Sequence, residues 1–190
     1  MGFLDSLLGR RKVPGPAPDR LFAISTAYVG LEAQQGVTTR GAAAIVFQPL
    51  ATGDFRQIVE DMREVLAGTG TEMGSTVETE DDEFGYSWMI VRDPDIEDLA
   101  VGINAVSDAL AVGGYQDRVL AAVFAFEDAE GKPMYFIYNY KRGTWYPFVP
   151  APGDKQRNTE RELQIKAATG PELPFEPELE RWFPLWGIPI

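Results

Sequence analysis

The residues best suited to chemistry lie between positions 135 and 148, where Tyr135, Phe136, Tyr138, Tyr140, Trp145, Tyr146 and Phe148 surround the cations Lys141 and Arg142. Aromatics interleaved with positive charge suit two kinds of binding: stacking of unpaired bases on a sheet, or a protein contact anchored by Trp, Tyr and Arg. Aromatics also form strands readily, so packing is the plain alternative. A formal net charge of −12 opposes a phosphate backbone, and nucleic acid is therefore not an expected partner. The expected contact residues are Lys141, Arg142 and Trp145 at a hairpin tip, with Thr144 and Tyr146 beside them.

Other chemistry is harder to support. The chain has no His and no Cys, which removes triads, thiolate nucleophiles, zincin motifs and His-ligated haem, so no metal or cofactor is expected. Gly68, Gly70 and Gly74 follow a helix pattern and lack the Lys-Ser/Thr pair of a phosphate loop. The run Glu78, Glu80, Asp81, Asp82, Glu83 lacks the alternate spacing and distant Glu of a calcium loop and reads as a solvated turn. With 29 acidic residues, chance carboxylate pairs are unavoidable and no pair is singled out for hydrolysis.

The elements that must position the aromatic segment follow from periodicity. Val13 to Pro18 is a Pro-rich linker, setting apart residues 1–12 from a single α+β domain over residues 19–190. Asp19 opens a helix carrying Leu21, Ile24, Tyr28 and Leu31. Ala42 to Leu50 reads as a buried strand. A helix follows from Asp54, with Gln57 in capping-box position, an apolar face from Phe55 to Leu66 and a stop at Gly68. Ser75 to Thr79 and Tyr86 to Arg92 read as paired strands. Asp93 caps a helix with Ile96, Leu99, Ile103, Val106 and Leu110 on one face, and Val119 to Phe126 is another strand.

This order is β-α-β-β-α-β, the pattern of a ferredoxin-like core with two helices on one face of an antiparallel sheet. Strands at Met134 to Tyr140 and Trp145 to Phe148 extend that sheet by a C-terminal hairpin, with terminal helices beyond the core. Both alternating sets of Val119 to Phe126 are apolar, so the second sheet face also needs a cover. A helix opening at Asn158 or Thr159, with Glu162 in capping-box position, and the apolar tail Glu178 to Ile190 are the expected cover.

No apolar run reaches the about 20 residues of a membrane span, and no secretory h-region is present, so a cytoplasmic protein is expected. In residues 1–12, Phe3, Leu4, Leu7 and Leu8 share one face of a short amphipathic helix, with Arg10, Arg11 and Lys12 next to it. Such a segment suits weak contact with an anionic membrane, or docking on the protein's own surface.

Three segments carry a family resemblance: Met1 to Asp5 with Leu7-Leu8-Gly9-Arg10, then Tyr138 to Phe148, and then Arg181 to Gly187. In this order they resemble the PspAB family of PspA-associated proteins, the Lys-Arg-Gly-Thr-Trp-Tyr-Pro-Phe stretch being the most specific; residues 54–113 match in pattern only. The resemblance implies a non-enzymatic accessory of the phage-shock envelope-stress response at the inner face of the cell membrane. Its implied partners are PspA or related stress proteins and an HtpX-type membrane protease. A contrasting reading from the residues alone is a small-ligand carrier, or a metal-independent enzyme with carboxylate and Tyr groups in a sheet-face pocket. A closed polar pocket holding a carboxylate of raised pKa would favour it.

Overall fold

The computed structural model describes residues 18–73 and 75–190. Their regular elements are, in chain order, helix α1 (Pro18–Gln35), β1 (Thr38–Phe47), α2 (Gly53–Met73), β2 (Thr76–Asp81), β3 (Ser87–Arg92), α3 (Ile96–Val112), β4 (Val119–Glu127), β5 (Pro133–Asn139) and β6 (Thr144–Phe148). A two-residue ladder, β7 (Pro150–Ala151) with β8 (Gln156–Arg157), precedes helix α4 (Thr159–Thr169). The amphipathic segment 1–12 and most of the linker lie outside the described residues; Pro18, the last residue expected in the linker, already belongs to α1.

The fold is α+β. Six strands form one sheet in the order β2-β3-β1-β4-β5-β6, and every neighbouring pair is antiparallel. The helical crossover from β1 through α2 leads to β2, which lies one strand away with β3 between them. The β5–β6 hairpin then extends the β4 side, as the sequence predicts.

Strict alternation along the strands divides the interior into two layers. Ile45, Phe47, Met89, Val91, Phe124, Phe126, Phe136, Tyr138 and Trp145 face the helices, joining Leu21, Ile24 and Leu31 of α1 and Leu99, Ile103, Val106 and Leu110 of α3. Val46, Trp88, Ile90, Val123, Tyr135, Ile137, Tyr146 and Phe148 face the other way, under Trp182 with Leu185, Trp186, Ile188 and Ile190. The tail is thus the cover expected for the second face. Ile165 of α4 instead joins the helical layer, because α4 packs beside α1 and β6. Three helices, rather than the expected pair, lie on that side.

Several local expectations are corrected. β1 begins earlier than Ala42 because the chain bulges at Gly41 and pairing with β4 continues to Thr38. Gly41 has φ +65°, and a Cβ there would sit 3.1 Å from the Asp93 carbonyl oxygen. Asp95, not Asp93, caps α3, its carboxylate accepting from the Glu97 N–H at 2.7 Å. Asp93 is buried and accepts from Ser75 and from the Asp95 N–H. Gln57 makes no capping box: its amide donates forward to Asp61. Helix α2 also runs past Gly68.

The two sheet edges differ. Along β6, the Trp145 N–H donates to the Pro174 carbonyl at 3.0 Å and the Glu176 N–H donates to the Trp145 carbonyl at 2.8 Å, so a tail segment closes that edge. At the other end β2 is short and largely exposed, with Glu78, Glu80 and Asp81 along it.

Candidate functional site

The β5–β6 turn is built by local chemistry. The Asn139 carbonyl accepts from the Gly143 N–H at 2.8 Å, its side-chain oxygen accepts from the Arg142 N–H at 3.3 Å, and Gly143 supplies φ +63°. This turn disperses the five residues expected to meet a partner. Lys141 alone is exposed. Arg142 folds back and donates to Glu176, a carboxylate whose side chain is 1% exposed. Thr144 Oγ1 donates to the same carboxylate oxygen at 3.2 Å.

Trp145 is fully buried, so it cannot be the exposed anchor that the sequence suggests. Its Nε1–H donates to the Arg20 carbonyl at 2.6 Å, and its ring lies 5.1 Å from Tyr138 and 5.6 Å from Phe124. Tyr146 is buried on the opposite sheet face, its ring 6.4 Å from that of Trp182 and 24° from parallel. A strand alternates its side chains, so consecutive aromatics enter opposite layers. The basic-aromatic segment is therefore chiefly a clasp between turn, helix α1 and tail.

Two carboxylates organise this clasp. Burial pushes the Glu176 carboxyl up, but hydrogen bonds from Arg142, the Glu178 N–H and Thr144, with the charge of Arg142, together hold it below the usual carboxylate range. Glu162, expected in a capping box with Thr159, is fully buried instead. It accepts from the Val149 N–H at 2.9 Å and from two nitrogens of Arg157, while Asn158 caps α4. The carboxylate–guanidinium pairs leave neither Glu free for acid–base work.

The open surface beside the turn is a groove of about 680 Å³ between the first turn of α1, the second half of α3, the 3₁₀ turn Gln116–Arg118 and the end of β5. Leu21, Ala111, Val119 and Leu120 supply apolar wall, Tyr138 and Tyr140 form the floor, and Asp108, Asp117 and Lys141 are charged groups on the rim. Burial pushes the Tyr140 phenol up, and Ser107 lies at hydrogen-bonding range of it. Leu120 is 38% exposed and Val112, just beyond the α3 face that lines the groove, is 91% exposed. The arrangement suits an elongated amphipathic segment laid along the α3 side, with its apolar residues inward.

Of the expected contact residues, Lys141 is the one that joins this groove; Asn104, Ser107, Asp108, Gln116 and Asp117 were not anticipated. Their sequence signal is faint: polar residues on the outer face of α3, and a Leu at the exposed start of an otherwise apolar strand. Among the described residues no cluster of three or more His, Cys, Asp or Glu side chains is placed to hold a metal. The carboxylates that the fold perturbs, Glu60, Asp82 and Glu176, all move down, opposite to the raised carboxyl that a catalytic pocket would favour. No described helix is long and apolar enough to cross a membrane.

One family model matches, that of PspAB, PspA associated protein B, and it spans residues 1–190. No curated protein and no solved structure matches the chain.

Proposed function

The chain belongs to the PspA associated protein B family, and on that premise we propose that it is a non-enzymatic accessory of the phage-shock envelope-stress response that binds PspA through the groove beside the β5–β6 turn. The observation that carries the reading is the family match along the whole chain. The groove supports it independently: apolar walls under a charged rim receive one face of an amphipathic helix. Work at the inner face of the cell membrane, and contact there with an HtpX-type protease, belong to the same proposal.

The test is capture of purified PspA by the full-length chain. Ala111→Arg and Leu120→Glu change exposed groove positions and should leave urea unfolding unchanged while lowering PspA affinity at least tenfold. Equal affinity in both folded variants removes the groove as the binding site. No capture by the unaltered chain, at concentrations of tens of micromolar, removes PspA as the direct partner.

A further inference from the structure

The groove lies where the described chain begins. Leu21, one of its wall residues, stands three positions after Pro18 in the first turn of α1. That turn is fixed to the hairpin: Arg20 Nη1 donates to the Gly143 carbonyl at 3.2 Å, and the Arg20 carbonyl accepts from Trp145. A chain entering α1 therefore arrives at the groove rim with a fixed starting point.

Residues 13–17 separate that point from segment 1–12. Fully extended they reach about 17 Å, and a helix of twelve residues is about 18 Å long. Segment 1–12 is thus held within one groove length of the site. Its chemistry complements the groove: Phe3, Leu4, Leu7 and Leu8 for the apolar walls, and Arg10, Arg11 and Lys12 for the rim carboxylates Asp108 and Asp117. We propose that residues 1–12 dock in this groove of their own chain.

A short tether gives an attached segment an effective concentration in the millimolar range, so even a weak intrinsic contact is occupied. A free partner must displace it. The groove then has a built-in competitor, and segment 1–12 reaches any other surface, a membrane included, only after leaving. The inference concerns the groove and the chain itself and does not depend on PspA being the partner.

The absence of cysteine supplies a clean probe, because Ser6→Cys carries the sole thiol for a nitroxide label. In the dilute full-length chain, the label should reduce amide signals of Asn104, Ser107 and Gln116 by more than half and leave those of the β2 edge, Thr76–Asp81, unaffected. Leu4→Glu with Leu8→Glu, both outside the folded elements described, should abolish the effect. Proximity that survives the double substitution comes from the tether alone and overturns the proposal, as does broadening centred elsewhere or spread evenly. Mixing labelled chain with unlabelled isotope-enriched chain separates a second copy as occupant: equal broadening in the mixture overturns docking within one chain. No PspA is present, so failure here leaves the capture result standing, and failed capture leaves this one.

Discussion

Arg142 at the β5–β6 turn and Glu176 in the tail form an ion pair across 34 positions of sequence, and the carboxylate member is almost wholly buried. Thr144 and the Glu178 N–H donate to the same carboxylate. The pair explains why a basic turn precedes the aromatics without that turn being a contact surface: the guanidinium fastens the tail that closes the sheet edge.

Removing Arg142 leaves Glu176 short of its main donor. Arg142→Ala should lower the unfolding free energy by about 2 kcal/mol, since Thr144 and the backbone still serve the carboxylate. Lys141→Glu, one residue away and exposed, should stay within about 0.5 kcal/mol. Charge reversal at Arg142 sets two carboxylates together and should cost more than the alanine variant, so the turn cations do not form an interchangeable pair. Urea titrations of the three variants check the ranking.

Acid should loosen the same clasp. Glu176 and Asp82 have folded pKa values below their ordinary ones; burial of Asp82 is outweighed by donors from Trp88, Tyr86, Phe84 and Gly85. A carboxylate depressed by folding contributes stability that is complete above its unfolded pKa of about 4 and is lost as pH falls through the lower folded value. The urea midpoint should hold steady near neutrality and fall below about pH 4. Arg142→Ala should flatten that acid slope.

The tail should behave as core. Trp182 is 3% exposed, packs on Tyr146 and donates through Nε1 to the Glu176 carbonyl at 3.0 Å. Trp182→Ala should cost about 3–5 kcal/mol. Deleting residues 182–190 should uncover the second sheet face and raise binding of an apolar dye; an unchanged melting temperature would count against the tail as cover.

Glycines separate by conformation. Gly41→Ala forces a side chain into φ +65° and against the Asp93 carbonyl, and should destabilise by roughly 1–2 kcal/mol. Gly68 sits inside α2 with no atom within 4 Å of an added Cβ, so Gly68→Ala should stabilise by about 0.5–1 kcal/mol. Thermal melts of the pair give opposite signs.

The sheet and its helices were legible because their signals are periodic. Ile96, Leu99, Ile103, Val106 and Leu110 mark one face of α3, and the doubly apolar Val119 to Phe126 requires the second cover that the tail supplies. What sequence hid was the use of single polar groups. Asp93 and Asp95 are equally good caps on paper, and tertiary burial of Asp93 decides between them. Glu162 and Glu176 resemble surface acids until distant Arg157 and Arg142 are folded against them. Trp145 reads as an exposed anchor because nothing local reveals that the Arg20 carbonyl, 125 positions upstream, completes its hydrogen bond. The groove was illegible for the same reason: its wall comes from four elements that converge only in the folded chain.

The unequal edges of the sheet bear on how the protein survives among misfolding neighbours. An open strand is a template on which other chains polymerise, and here the tail occupies one end of the sheet while β2 presents Glu78, Glu80 and Asp81 at the other. Stacking a second copy on β2 brings like charges into register, so the acidic composition acts locally as a brake on fibre growth. Replacing Glu78 and Glu80 with Val would release it: the variant should fold as before, yet seed sheet-rich aggregates on gentle heating at concentrations where the parent chain stays dispersed.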